Sequence, residues 1–336
     1  MTSPMTGPMT GRRVVVLAGG LSHERDVSLR SGRRVGAALR HQGIDVDELD
    51  VDADLVRALR TDLPDCVVPL LHGETGEDGA LREVLDLIGV PYVGSAAAAC
   101  RLAFDKPVAK ALVQRAGVAT PDAVALPAET FKELGAAVVM DALLRRLGLP
   151  LVVKPARGGS ALGCTVVRHA EALPSAMVGC FAYDRVALVE RAVTGTEVAV
   201  TVLGTGAAGD EAPQALPVVE IRPDGGVYDY AARYTAGATE FVVPAAVSDS
   251  VANACAEVAV TVHSALGLRD LSRSDLIVDA DGQVCFLEVN VAPGVTETSL
   301  VPLAVEAGGL DLGEVMSGLV ERACRRGPHS ASSASR

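Results

Sequence analysis

The stretch from Arg273 to Gly294 constrains the chain more than any other, because it reads as two apolar strands flanking Asp281-Gly282. An Asp-Gly pair between such strands is a strong signal for a two-residue hairpin turn, whose central positions need φ > 0. That turn sets Ala280 opposite Gln283, and with it Asp275 opposite Glu288 and Arg273 opposite Asn290. Side chains alternate with period two, so all four are expected on one face of a sheet. A four-residue loop keeps them together, whereas a three-residue loop does not.

Two carboxylates directly opposite one another repel. Two readings resolve the conflict. One is a surface salt bridge to Arg273. The other is a divalent cation such as Mg²⁺, which takes hard oxygen ligands from one or two carboxylates together with phosphate and water. The outer face of the hairpin, Leu276, Val278, Cys285, Leu287 and Val289, is also apolar. A hairpin covered on both faces favours the metal–phosphate reading, and Pro293-Gly294 ends its second strand.

A chain of 336 residues holds two or three domains with sizeable cores. Trp is absent, so the core is expected from Val, Leu and Ala. A net charge of −12 argues against nucleic-acid binding, which wants a basic face. No apolar run reaches the ~18 residues of a membrane span. Residues 1–11 are rich in Thr, Pro and Gly and read as a disordered leader, and the Ser-rich residues 327–336 as a disordered tail. Seven cysteines without a CxxC pair read as buried thiols in a reducing cytoplasm.

Along the chain, Val14–Leu17 is a buried strand that breaks at Gly19-Gly20, followed by a helix from about Val27 to Gln42. Ile44–Val51 and Cys66–Leu71 read as further strands, so a parallel sheet with flanking helices is expected. In such sheets ligands bind at the carboxyl ends of strands, where the loop Leu21–Asp26 and the run His72–Gly79 fall. No GxGxxG follows the first strand and no Walker A motif occurs. Lys106 opens a helix, and Pro150–Lys154 is a strand leading to a glycine-rich tip at Gly158–Ala161. Such a tip can offer backbone N–H groups to phosphate, and it can equally be an ordinary flexible hairpin. Ala187–Glu190, Glu197–Val202 and Leu216–Ile221 read as strands, and Tyr228–Pro244 as a long irregular loop of the kind that forms lids.

Taken in order, these motifs resemble the D-alanine–D-alanine ligase family of the ATP-grasp superfamily. The resemblance rests on Gly19-Gly20 with Glu24-Arg25-Asp26-Val27-Ser28, on HGETGEDG at His72–Gly79, on Pro91–Ser95, on Asp105-Lys106, on Lys154-Pro155 with its Gly-Ser tip, on Tyr228-Asp229-Tyr230, on Arg233-Tyr234, and on Arg273–Gly294 with Thr296 and Ser299-Leu300. It spans roughly residues 13–324. It implies an α/β and α+β chain with an ATP-grasp fold. The boundaries are a Rossmann-like N-terminal domain at 12–104, a central ATP-grasp subdomain at 105–193 and a C-terminal subdomain with the hairpin at 194–326.

The resemblance also implies roles. Lys106 and Lys154 would hold ATP phosphates, Glu190, Ala192 and Val193 the adenine hinge, and Glu197 the ribose. Asp275, Glu288 and Asn290 would bind two Mg²⁺ (or Mn²⁺). The substrates would be ATP and two D-alanines, joined through an acyl phosphate. Glu24 would take the first ammonium, and Arg273 with the Gly294 N–H would stabilise the oxyanion. Arg233, Ser299 and Leu300 would meet the second carboxylate, and Glu24, Ser160 and Tyr234 would close a lid. His72 is either near the first substrate or purely structural. A cytoplasmic homodimer feeding peptidoglycan synthesis is implied. The alternative is a related ligase that joins a different amino or hydroxy acid in specialised metabolism or self-resistance.

Three positions depart from the family pattern. Ala161 stands where a second serine is usual, Arg233 where lysine is usual, and Arg82-Glu83 where Gln-Gly is usual.

Overall fold

The computed structural model describes residues 11–204, 212–235 and 237–328, without the side chains of Ala231 and Tyr234. The expected leader up to residue 10 and the tail from residue 329 lie outside the described residues. Three sheets organise the chain. The first is parallel, with β1 (Arg13–Leu17) between β2 (Asp45–Leu49) and β3 (Cys66–Pro69). Val14 to Leu17 are fully buried, as a central strand covered on both faces requires. Helix Arg25–His41 runs between β1 and β2 and buries Val35 and Leu39 against the first sheet.

The second sheet is antiparallel and follows the order β4 (Ala123–Pro127), β7 (Val186–Arg191), β5 (Leu151–Pro155), β6 (Thr165–Val167). Two helices, Ala128–Leu134 and Ala136–Leu147, join β4 to β5, where the sequence analysis assigns no element. Their periodicity is masked because Leu134 and Val138 stay exposed while only positions such as Phe131, Leu143 and Leu147 reach the core. The third sheet contains β8 (Thr196–Leu203), β9 (Gln214–Ala215), β10 (Val219–Pro223), β11 (Thr239–Val242), β12 (Leu271–Val278) and β13 (Val284–Asn290). Its order is β11-β10-β8-β12-β13, with β9 also pairing β8. Helix Asp249–Ala265 covers one face of this sheet.

The segment Tyr228–Pro244 is not the irregular loop expected. It contains the short helix Tyr230–Tyr234 and the edge strand β11, which pairs antiparallel with β10. Thr239, Phe241 and Val242 are the strand-forming residues that carry this pairing.

The hairpin also differs from expectation in a way that leaves the site intact. Asp279 N–H donates to Gln283 O, so the turn is a three-residue loop of Ala280, Asp281 and Gly282. The carboxylate of Asp279 accepts from the N–H groups of Asp281 and Gln283, and only Gly282 takes a positive φ. A two-residue turn would force Asp281 there as well. The loop puts Val278 opposite Val284 and Leu276 opposite Phe286, one residue out of the expected register. A β-bulge at Leu287 absorbs the extra residue, and Asp275 faces Glu288 and Arg273 faces Asn290 after all. The bulge sends Phe286 to the core under helix Asp249–Ala265 and turns Leu287 towards the site, not outward as expected.

The N-terminal sheet is bound to the third sheet through Asp270, which is fully buried with φ +63°. Its carboxylate takes two bonds from Arg326, at 3.0 and 2.8 Å, and one from Gly94 N–H at 2.7 Å. Arg326 belongs to the last helix, Leu312–Arg326, and also donates to Tyr92 O. Removing one partner of a buried pair strands the other charge. Asp270→Asn should therefore cost about 3 kcal/mol or more of stability, measured by urea unfolding, and a cost below about 1 kcal/mol would remove Asp270 as the junction.

Candidate active site

β12 and β13 bring Arg273, Asp275, Glu288 and Asn290 to the sheet face away from helix Asp249–Ala265. Arg273 grips Asp275 bidentately, Nε to Oδ1 at 2.7 Å and Nη2 to Oδ2 at 2.8 Å. Lys106 Nζ stands 3.4 Å from Glu288 Oε2 and 2.5 Å from Gly158 O. Each opposed carboxylate thus has its own cation. Burial pushes Glu288 up, but Lys106, Lys154, Arg233 and Arg273 outweigh it and hold the group at about 2. The salt-bridge and metal readings of this face are therefore not exclusive. Two ionised carboxylates and the Asn290 amide oxygen, which already accepts from Ala292 N–H, form a hard-oxygen set that fits Mg²⁺. Among the described residues no three His, Cys, Asp or Glu side chains cluster tightly enough to hold a metal by themselves.

Two cavities meet at this face. The larger, about 600 Å³, lies between the second and third sheets. Its wall includes Lys154, Ala192, Val193, Glu197, Ile277 and Leu287. The smaller, about 120 Å³, lies against the N-terminal sheet and includes Glu24, His72, Glu77, Arg273, Gly294 and Ser299. Lys106, Gly158, Gly159, Tyr228, Arg233 and Glu288 line both.

In the larger cavity Lys154 Nζ is 2.7 Å from Glu190 Oε2. Glu190 is not free to face a ligand with its carboxylate, because Lys110 Nζ sits 2.7 Å from the other oxygen. Burial raises Glu190, but the two lysines outweigh it and the group stays ionised below its usual range. Ala192 spends its N–H on Pro150 O. Burial pushes Glu197 up to about 7, with Asp275 and Glu288 adding to the shift and Arg233 and Arg273 opposing it.

In the smaller cavity the Ser160 hydroxyl donates to Glu24 Oε1, so the glycine-rich tip of the second sheet reaches the first domain. Ser160 and Ala161 both hold φ near +55°, at 53° and 55°, a region non-glycine residues rarely adopt. The side chain of Tyr234, expected as the third member, lies outside the described residues; its backbone ends the helix Tyr230–Tyr234. Arg233 stacks on the Tyr228 ring at 4.2 Å and donates to Tyr228 O. His72 Nδ1 donates to Ala292 O at 2.8 Å, and its Nε2 lies 3.4 Å from Ser31 Oγ, which accepts from Val295 N–H. Burial lowers His72, so the neutral ring ties helix Arg25–His41 to the chain leaving the hairpin. Ser299 holds the N-cap position of helix Leu300–Ala307, but its hydroxyl accepts from Thr296 N–H and makes no bond to the helix, leaving the helix N-terminus open to an anion. A Cβ on Gly294 would lie 3.0 Å from Ser299 Oγ, so a side chain there would crowd that end.

Two residues escaped the sequence reading. Lys110 follows Lys106 by four positions, a spacing that puts both on one helix face. Glu77 lies inside the quoted HGETGEDG run, buried, with Gly73 N–H bonded to Oε1 at 2.9 Å. Arg82, one of the three departures, is a buried brace whose Nη1 donates to Gly76 O. The cysteines are less uniform than expected: all seven are free, but Cys164, Cys285 and Cys324 are only half-buried. Among the described residues no helix is long and apolar enough to cross a membrane.

Comparison with known proteins gives one family throughout. Residues 54–95 match the family described as D-ala D-ala ligase N-terminus, and residues 112–321 match D-ala D-ala ligase C-terminus. The D-alanine–D-alanine ligase of Pelotomaculum thermopropionicum is 38% identical over 311 residues, covering 93% of this chain and 96% of that protein. Among solved structures, the D-alanine–D-alanine ligase of Bacillus anthracis superposes with a TM-score of 0.80 at 27% identity, covering 94% of this chain and 98% of that one. The VanG D-Ala:D-Ser ligase of Enterococcus faecalis gives 0.79 at 28% identity, covering 93% and 99%.

The electrostatics of Glu77 give a test of the site. Burial and the neighbouring Glu24 push its carboxyl up to about 8. A raised carboxyl binds its proton more tightly folded than unfolded, so stability falls as pH rises from about 4.5 towards about 8. Glu77→Gln removes that loss while keeping an acceptor for Gly73. The variant should match the parent near pH 4 and exceed it at pH 8.5 by roughly 4 to 5 kcal/mol in urea unfolding. A difference that does not change with pH would mean that folding leaves the Glu77 carboxyl at its ordinary value.

Proposed function

The chain belongs to the D-alanine–D-alanine ligase family, and on that premise we propose that it joins two D-alanines at the expense of ATP for peptidoglycan precursor synthesis in the cytoplasm. The observation that carries this reading is the pair of cavities sharing Lys106, Arg233 and Glu288. A nucleotide in the larger one would present its terminal phosphate where the smaller one presents an amino-acid carboxylate.

The adenine lies on the 190–193 segment, the ribose on Glu197, and the phosphates on Lys106, Lys154 and the glycine-rich tip. Asp275, Glu288 and Asn290 would hold two Mg²⁺ (or Mn²⁺), which would neutralise phosphate charge. The first D-alanine sets its ammonium on Glu24, and its carboxylate oxygen attacks the γ-phosphorus. ADP leaves and a D-alanyl phosphate remains. Ser299 and the N-terminus of helix Leu300–Ala307 take the carboxylate of the second D-alanine, with Arg233 nearby. Its amine, once deprotonated, attacks the acyl carbonyl. Arg273 and the Gly294 N–H meet the charge that develops on oxygen, the kind of preorganised donor that contributes most to such steps. Phosphate then departs and the peptide bond is complete. Ser160 and Glu24, with Tyr234, keep the tip closed over the smaller cavity, and two copies of the chain form a homodimer.

Replacing Glu288 by Gln removes one ionised oxygen donor without changing shape. Phosphate release from ATP with D-alanine should fall by more than the about 100-fold that changes one sphere further out cost. Circular dichroism should be unchanged, and parent-like turnover at ordinary Mg²⁺ would remove Glu288 from the site.

The acceptor decides between this reading and its closest rival. An amine acceptor arrives as an ammonium and must shed a proton, which a polar set around Glu24 and Ser160 can take up. Competition at pH 7.5 among D-alanine, D-serine and D-lactate, with products resolved by mass spectrometry, should yield chiefly D-alanyl-D-alanine. Predominance of D-alanyl-D-lactate or D-alanyl-D-serine would establish the rival, a ligase serving another pathway.

A further inference from the structure

Lys110 lies behind the wall of the larger cavity and is not part of its lining. It is buried, as are its neighbours Glu190 and Lys154. Its Nζ is 2.7 Å from Glu190 Oε1 and 3.3 Å from Phe286 O, and stands 5.8 Å from the centre of the Phe286 ring. Lys154 Nζ takes the other oxygen of Glu190, also at 2.7 Å. One carboxylate from β7 is therefore shared by an ammonium from β5 and an ammonium from helix Lys106–Arg115. Of the two lysines, only Lys154 lines the cavity.

We propose that Lys110 is a positioning residue that keeps Lys154 electrostatically available to a bound polyphosphate. Two ammonium charges against one carboxylate leave one net positive charge in the trio. Without Lys110, Glu190 and Lys154 collapse into a neutral pair, and a neutral pair attracts a phosphate far less than a cation does. The third contact of Lys110, on the carbonyl of Phe286, fixes it beside the bulge residue Leu287. Glu190 is thus held from behind and cannot swing wholly onto Lys154. Burial draws the Lys110 ammonium down to about 8, with Glu190 opposing the shift and Lys154 adding to it, as expected of the more deeply hidden member of two like charges.

The inference rests on the nucleotide reading of the larger cavity, and the experiment separates the two. Dissociation constants are measured on the full chain for a non-hydrolysable ATP analogue with Mg²⁺ and, by competition, for adenosine. Lys110→Met should weaken the analogue by about tenfold or more while leaving adenosine unchanged, because only the analogue carries charge to the wall. Adding Glu190→Gln to that variant should recover most of the loss, since an amide no longer quenches Lys154. Lys110→Arg should stay near the parent. A merely structural role would weaken analogue and adenosine alike and would not be rescued by the second change; that result overturns the proposal, as does undiminished analogue binding in Lys110→Met. Should Lys110→Met fail to fold, Glu190→Gln alone decides: both lysines remain, so the analogue should bind at least as tightly as to the parent relative to adenosine, and a loss confined to the analogue overturns the proposal. A parent chain that binds neither ligand refutes the nucleotide reading itself and this inference with it.

Discussion

The repulsion between Asp275 and Glu288 is the constraint on which the rest of the site depends. Two carboxylates in cross-strand register are tolerable only if each is neutralised. Arg273 does this within the same strand, two residues away. Lys106 does it from helix Lys106–Arg115, outside the third sheet, so the closest cation to Glu288 arrives only when that helix is docked. Lys110 then reaches past the same sheet edge to Glu190. The acidic face thereby dictates where the cations must be, and the cations dictate how the second and third sheets approach one another. A cleft walled by charge on both sides is what remains between them.

The first domain joins the site through a separate set of bonds. His72, Ser31 and Ala292 link helix Arg25–His41 to the chain beyond β13, and Asp270 with Arg326 and Gly94 does the same at the far end of the third sheet. Both links are buried, so the smaller cavity has a fixed floor. The Ser160–Glu24 bond is the contrasting case: it joins a short tip, held in left-handed backbone, to an exposed-edged loop. The firm contacts set the position of the amino-acid pocket, and the tip closes it.

Much of this was legible in the residues. The parallel first sheet follows from apolar strands alternating with helices, whereas the opposition of Asp275 and Glu288, expected from a two-residue turn, holds because the bulge at Leu287 offsets a three-residue one. The turn itself was not legible, because Asp279 rather than the Asp-Gly pair sets its geometry, and side-chain capping of that kind competes with turn-type preferences. The bulge was hidden for a related reason: an apolar run such as Val284–Val289 looks the same with or without an unpaired residue. Lys110 escaped notice because its partner, Glu190, is eighty positions away on a strand that reads as adenine-contacting, and only the packing of helix against sheet reveals the pair. The Tyr228–Pro244 segment reads as loop in sequence because its strand is a short one at a sheet edge, where composition is a poor guide.

The bulge at Leu287 has a consequence for how this hairpin can change over time. Leu287 is the one residue of β13 without a partner between Phe286 and Glu288, so Asp275–Glu288 and Leu276–Phe286 are consecutive pairs across it. Removing Leu287 would leave Phe286 facing the core and Glu288 facing the site, in ordinary alternation. Shortening the three-residue turn would likewise leave the pairs beneath it in place. What would go with Leu287 is the apolar side chain it lends to the wall of the larger cavity. Length at these two points can therefore vary separately while the carboxylates keep their places, and the bulge is a means of reshaping the cavity wall without moving the charged face.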